Sequence, residues 1–200
     1  GIFSYQTDEI YNPSQTPLQI TVQEQANEGI DTIHSIEDFT LGSNFENLVL
    51  EHYVMGWQYG VTQYGYAVRG TGNALNNIIT GNDGSNLLDG QGGNDTLIGG
   101  LGNDRYRFGL GYGLDRIIDQ GSVSNTDTVL MGVGIRPEDV SVALVGTQVV
   151  LSLNANDQLA MDWIPEVGTG IERIEFTDGT VWQVAALVDP ALHAPVVQHA

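Results

Sequence analysis

The sequence predicts an all-β protein, a parallel β-roll of nine-residue repeats closed at its C-terminal end by antiparallel strands. Three observations carry that reading. Glycine recurs every nine residues from Gly72, with Asn or Asp five places on and a large apolar residue two places after that. Fourteen of the 26 glycines fall between Gly70 and Gly121, among many Asn and Asp, so one segment differs from the rest. The charge is lopsided: 25 acidic residues face six Arg and no Lys, a formal −19.

That charge excludes nucleic acid and anionic membranes as partners, because both need clustered cations. It favours bound cations instead. No apolar run reaches the length of a transmembrane helix, so no membrane insertion is expected. With no Cys, disulfides, thiol chemistry and Cys-ligated zinc are ruled out. At 200 residues and 41% hydrophobic content the chain can still bury a core.

The repeats read GNALNNIIT, GNDGSNLLD, GQGGNDTLI and GGLGNDRYR. Position one is Gly72, Gly81, Gly90 and Gly99; position six is Asn77, Asn86, Asp95 and Asp104; position eight is Ile79, Leu88, Leu97 and Tyr106. Gly, Asn and Asp in the first six places tolerate positive φ and form tight turns. The last three residues make a short strand, with position eight inward and seven and nine outward. Two such units make one coil, so residues eighteen apart stack at roughly 4.8 Å. Asn77 then lies beside Asp95, and Asn86 beside Asp104. Two carboxylates at that spacing repel by roughly 3 kcal/mol at an effective dielectric near 20, which calls for a cation. Tight turns also leave carbonyl oxygens between the coils. An oxygen-only, carboxylate-rich site favours calcium over zinc, copper or magnesium.

The segment resembles the RTX family, the haemolysin-type calcium-binding repeats, most closely at GQGGNDTLI and GGLGNDRYR. The resemblance implies a right-handed β-roll holding about three to five Ca2+ ions. It also implies a ligand scheme: carbonyls of positions two and four with side chain six from one turn, and carbonyls of one and three with side chain six from the turn eighteen residues on. One site would use Asn73, Leu75 and Asn77 with Gly90, Gly92 and Asp95. A second would use Asn82, Gly84 and Asn86 with Gly99, Leu101 and Asp104. Asn replaces Asp on the earlier turn of both, so these sites are expected to be weaker. The register then slips by two, making Leu110 a first position. A third site would pair Gln91, Gly93 and Asp95 with Leu110, Tyr112 and Asp115. A fourth would close Gly100, Gly102 and Asp104 with Asp127.

Upstream, Asp31-x-Ile33 and GSNFENLVL, with Asn47 at six and Val49 at eight, read as degenerate coils. Residues 1–24 read as strands around a Pro13–Pro17 loop. Between them and the repeats, Tyr53, Met55, Trp57, Tyr59 and Val61 alternate, and Tyr64, Tyr66 and Val68 repeat this after Thr62–Gln63, which predicts a hairpin. Its aromatic face (Tyr53, Trp57, Tyr59, Tyr64, Tyr66) either covers the roll or offers a platform to a glycan or cell-surface protein. Residues 129–184 alternate in short runs separated by turns and resemble the haemolysin-type calcium-binding-related region, whose expected job is to cap the solenoid. The expected organisation is 1–69 as an N-terminal β region, 70–130 as the calcium-binding roll, 131–184 as the cap, and 185–200 as a linker to a neighbouring module.

No metalloprotease, nucleophile-elbow or phosphate-loop pattern is present, and catalysis is not expected. His34 with Asp31, Glu37 and Asp38 reads as the solvated face of a worn coil. The resemblance implies a calcium-binding module of a large secreted bacterial protein, exported unfolded by a type I channel and folding on extracellular calcium. A recognition module of an adhesin, or an accessory module of a secreted enzyme, is the alternative.

Overall fold

The computed structural model describes residues 2–4, 29–58, 61–66, 68–119, 125–164 and 169–188, and at 2–4, 53–58, 61–64, 164 and 169 the backbone alone. Three-residue strands rich in apolar centres cannot form a core within one coil, so they stack in parallel. Strands are numbered along the chain. One sheet contains β1 (Ile2–Ser4), β2 (Thr32–Ser35), β4 (Asn47–Leu50), β8 (Ile78–Thr80), β10 (Thr96–Ile98), β12 (Leu114–Ile118) and β16 (Gln158–Ile164), neighbours pairing in parallel in that order. The other contains β3 (Phe39–Thr40), β7 (Arg69–Thr71), β9 (Leu87–Asp89), β11 (Arg105–Phe108), β13 (Thr128–Met131) and β18 (Arg173–Glu175), again parallel throughout. From β2 onward the chain alternates between the sheets, which is the winding of a β-roll.

Apolar side chains of the described strands turn inward and form two ladders. Ile33, Leu48, Ile79, Leu97, Ile117 and Met161 line up in one sheet. Leu88, Tyr106, Val129 and Ile174 line up in the other. None of the ten is more than 1% exposed. Burying each aliphatic one contributes about 1.5–3 kcal/mol, so the ladder supplies stability that needs no ion. Gly70 takes the inward place of β7 because Leu48, Leu50 and Ile79 fill its space; a Cβ there would come within 3.0–3.4 Å of them.

Four features depart from the sequence reading. Leu48, not Val49, continues the ladder, which moves Glu46 rather than Asn47 into position six. The apolar set Phe45, Leu48 and Leu50 is buried together, and a shift of one residue would have turned it outward. The hairpin of β5 (His52–Gln58) and β6 (Val61–Tyr66) reverses before Val61, not at Thr62–Gln63, which pair with Trp57 and Gly56. The C-terminal region is not wholly antiparallel, because β16 and β18 continue the roll in parallel. Antiparallel closure comes from β14 (Ser141–Val145) and β15 (Gln148–Ser152) beside β16, β17 (Thr169–Gly170) on β16, and β19 (Val181–Gln183) on β18. Finally, Val184–Val188 form a short helix, α1, with Val184 buried. The Pro13–Pro17 loop and residues 189–200 lie outside the described residues.

Candidate metal centre

Position six forms a hydrogen-bonded ladder along each sheet. The Asn77 N–H donates to Asp95 Oδ1 at 2.7 Å, and the Asp95 N–H donates to Asp115 Oδ1 at 2.8 Å. In the other sheet the Asn86 N–H donates to Asp104 Oδ1 at 2.7 Å and the Asp104 N–H to Asp127 Oδ1 at 2.6 Å. The structure thus stacks the position-six residues in the order read from the sequence, including across the slipped register, through backbone-to-carboxylate bonds. One oxygen of each carboxylate is fixed by the preceding coil. Among the described residues, Asp95 Oδ2, Asp104 Oδ2 and Asp115 Oδ2 are buried and meet no donor.

An ionised carboxylate oxygen without a partner is costly to bury. Burial pushes the carboxyls of Asp95, Asp104, Asp115 and Asp127 up to about 7. Neighbouring carboxylates push the same way: Asp115 and Asp89 on Asp95, Asp119 on Asp104 and Asp127. No Lys exists to neutralise them. Arg105, Arg116 and Arg136 are exposed and bond Glu175, Asp162 and Asp139 instead. Above about pH 7, where these carboxyls ionise, the opposite charge would have to come from an ion.

Turn carbonyls complete the donor set. Leu75 O approaches Gly93, Asn82 O approaches Gly100, Gly84 O approaches Gly102 and Gly93 O approaches Gly113. These are carbonyls of positions two and four facing the next coil. Gly90 O and Asn77 Oδ1 both crowd Gly72, and Gly99 O and Asn86 Oδ1 both crowd Gly81. Asn73 O accepts the Gly92 N–H at 3.3 Å. The close approaches explain the glycines: φ is +127° at Gly93, +103° at Gly100 and +107° at Gly102. Gln91 adopts +68° without being glycine, a conformation that costs an L-residue roughly 1–2 kcal/mol. Leu101 is exposed at its turn. In the slipped turn, the carbonyl that comes against Gly92 belongs to Gly111. Leu110 is exposed there, and the Tyr112 hydroxyl donates to Asp89 Oδ1 at 3.1 Å.

Gly90 has ordinary negative φ, so alanine is conformationally allowed there, yet its Cβ would run into Asp95 Oδ2. Gly90→Ala is therefore expected to raise the calcium midpoint severalfold. Calorimetric titration checks this, with Val133→Ala, at an exposed position, as the control.

Asparagine junctions are built differently. Asn77 Oδ1 accepts the Asn73 N–H at 2.8 Å, and Asn77 Nδ2 donates to Phe45 O and Glu46 O, both at 3.1 Å. Asn86 Oδ1 accepts the Asn82 N–H, and Asn86 Nδ2 donates to Asn82 Oδ1. An amide carries its own donor, so it satisfies the carbonyls that a cation would otherwise attract.

Some contributors escaped the sequence reading. Position five, Asn76, Ser85, Asn94 and Asn103, runs a second ladder in the opposite sense. Its side-chain oxygens accept N–H bonds from Asn94, Asn103, Leu114 and Thr126 of the following coil at 2.8–3.0 Å. The signal was there: the position is Asn or Ser in all four repeats. Glu172 Oε2 accepts the Asp127 N–H at 2.7 Å, continuing the position-six ladder into the cap. Asp157 accepts the Gly111 and Gly113 N–H groups and Asn154 Nδ2, fastening the cap to the slipped turn. Asp119, buried at 7% exposure, comes near Asp104 and Asp127. His34 and its three acidic neighbours are held separately: the Asp31 N–H donates to Glu46, His34 Nδ1 meets Glu51, Ser35 Oγ donates to the Glu37 carbonyl, and Asp38 accepts the Val68 and Arg69 N–H groups. Of the aromatic platform, Tyr66 lies against Gly84 at the foot of the hairpin. The side chains of Tyr53, Trp57 and Tyr64, and Tyr59 altogether, lie outside the described residues.

Buried carboxylates stacked between the coils of a parallel β-roll, faced by turn carbonyls, define a calcium-binding solenoid. The donor set fits a hard divalent ion, because the stacked side chains and the turn backbone offer carboxylate and carbonyl oxygens, and among the described residues no His or Cys joins the group of Asp104, Asp119 and Asp127. Residues 71–106 match the RTX calcium-binding nonapeptide repeat as four copies. No curated protein matches the chain.

Proposed function

We propose that this chain is a calcium-dependent structural module of an exported bacterial protein, and that its role is folding rather than catalysis. The observation that carries the reading is the set of buried, unpartnered oxygens on Asp95, Asp104 and Asp115. Without an ion, these groups oppose the roll; with one, metal binding becomes folding free energy. Low cytosolic calcium would keep the carboxylate coils open during export, and millimolar calcium outside would close them. The bonds from the Asn77 amide to Phe45 O and Glu46 O and the apolar ladder, by contrast, need no ion. Order is thus expected to spread from a preformed N-terminal part, through about residue 90, into the carboxylate coils.

Stripping the chain with chelator and titrating calcium back tests this by far-UV circular dichroism. The expected result is a cooperative gain of β signal from a partly ordered baseline, which magnesium does not reproduce. A signal already complete without metal would overturn the proposal.

A further inference from the structure

Counting nines from Leu110 puts Asp119 at a first position, where Gly72, Gly81, Gly90 and Gly99 stand in the regular repeats. Glycine contributes only a carbonyl there. Asp119 adds a side chain, and that side chain is buried. One carboxylate oxygen each from Asp104, Asp119 and Asp127 lies within 4.8 Å of the others. The Tyr106 hydroxyl donates to Asp119 Oδ2 at 2.6 Å and holds it in place. Independently, Asp104 Oδ2 is fully buried with no donor. Glu172, bonded to the Asp127 N–H, adds a fourth carboxylate at the edge of the group.

We propose that Asp104, Asp119 and Asp127 together hold one calcium ion, and that this three-carboxylate site is the tightest in the chain. It rests on the calcium-dependent reading above and goes further, because it ranks the junctions. Carboxylate count tunes calcium affinity at oxygen sites. Asn77–Asp95 offers one carboxylate, Asp95–Asp115 two, and the Asp119 site three. The ion that joins β11 to β13, where Glu172 ties on the cap, therefore loads first.

The test counts ions bound to the stripped chain by competition with a fluorescent calcium chelator. Wild-type protein is expected to take one ion at about tenfold lower free calcium than the rest. Asp119→Asn should lose that first ion and keep the later ones; Asp95→Asn should keep the first and weaken later ones. An unchanged first ion in Asp119→Asn, or its loss in Asp95→Asn alone, overturns the assignment. If wild-type protein binds no calcium at all, the calcium-dependent reading falls with it; if only the ranking fails, that reading stands. Circular dichroism at saturating calcium establishes whether Asp119→Asn is folded. Should it not fold, Tyr106→Phe removes only the hydroxyl on Asp119 and is expected to weaken the first ion severalfold; no change there would overturn the proposal equally.

Discussion

Asp95→Ala is expected to raise the calcium midpoint of folding by roughly tenfold or more, because it removes a carboxylate from two junctions at once. Asp95 Oδ1 accepts the Asn77 N–H, its own N–H reaches Asp115, and its Oδ2 is one of the unpartnered oxygens. Asn77→Ala should behave differently. It leaves the Asn73 N–H without its acceptor, while Phe45 O and Glu46 O each lose one donor but keep Asn73 Nδ2 and the Ile78 N–H. The cost is about 1–3 kcal/mol per orphaned group, felt with and without calcium. Asp95→Ala thus shifts the metal dependence, whereas Asn77→Ala lowers stability at every calcium concentration. Urea unfolding of both variants, at saturating calcium and in chelator, separates the two. Parallel behaviour would mean that Asn77 and Asp95 belong to the same kind of junction.

The metal-free protein should gain order on acidification. Burial holds Asp95, Asp104, Asp115 and Asp127 at about 7 in the folded chain, against 3.8 for an unperturbed Asp. Between those values the folded state binds more protons than the unfolded one, so stability falls as pH rises through the window. Their protonated contribution is complete below about pH 4 and lost by about pH 7. Burial, with Asp119 nearby, raises Glu172 in the same direction. Asp157 works oppositely: bonds from Asn154 and the turn N–H groups lower it, so its stabilisation disappears as pH falls through its depressed value. Chelated protein is therefore expected to show more β signal near pH 5 than near pH 8. Calcium competes with the same protons, so its midpoint should rise as pH drops below about 7. A metal-free signal that grows toward alkaline pH would contradict the arrangement.

The period of nine made the roll legible because each repeat must place one apolar side chain inward and one polar side chain between coils. Leu88 and Asp95 could stand for the whole solution. Legibility failed wherever the repeat was worn. Nothing in GSNFENLVL distinguishes Leu48 from Val49 as the inward residue until Phe45 and Leu50 are seen buried beside it. Asp119 was hidden for a different reason: position one is glycine in every regular repeat, so a ligating side chain there has no precedent in the pattern. Glu172 lay inside alternating sequence, and alternation does not say that β18 pairs in parallel with β13.

The register also sets a mechanical ratio. Ile78 pairs with Thr96, so one regular coil takes eighteen residues to advance one strand spacing along the axis. Those residues span about 60 Å when extended, against about 4.8 Å when coiled. A coil pulled open at its ends would release roughly 55 Å of slack. Under tension, coils joined by asparagine amides would yield at a force independent of the medium. Those joined through carboxylates would yield at a force set by the calcium around them, making this stretch of chain a spring whose compliance is chemically adjustable.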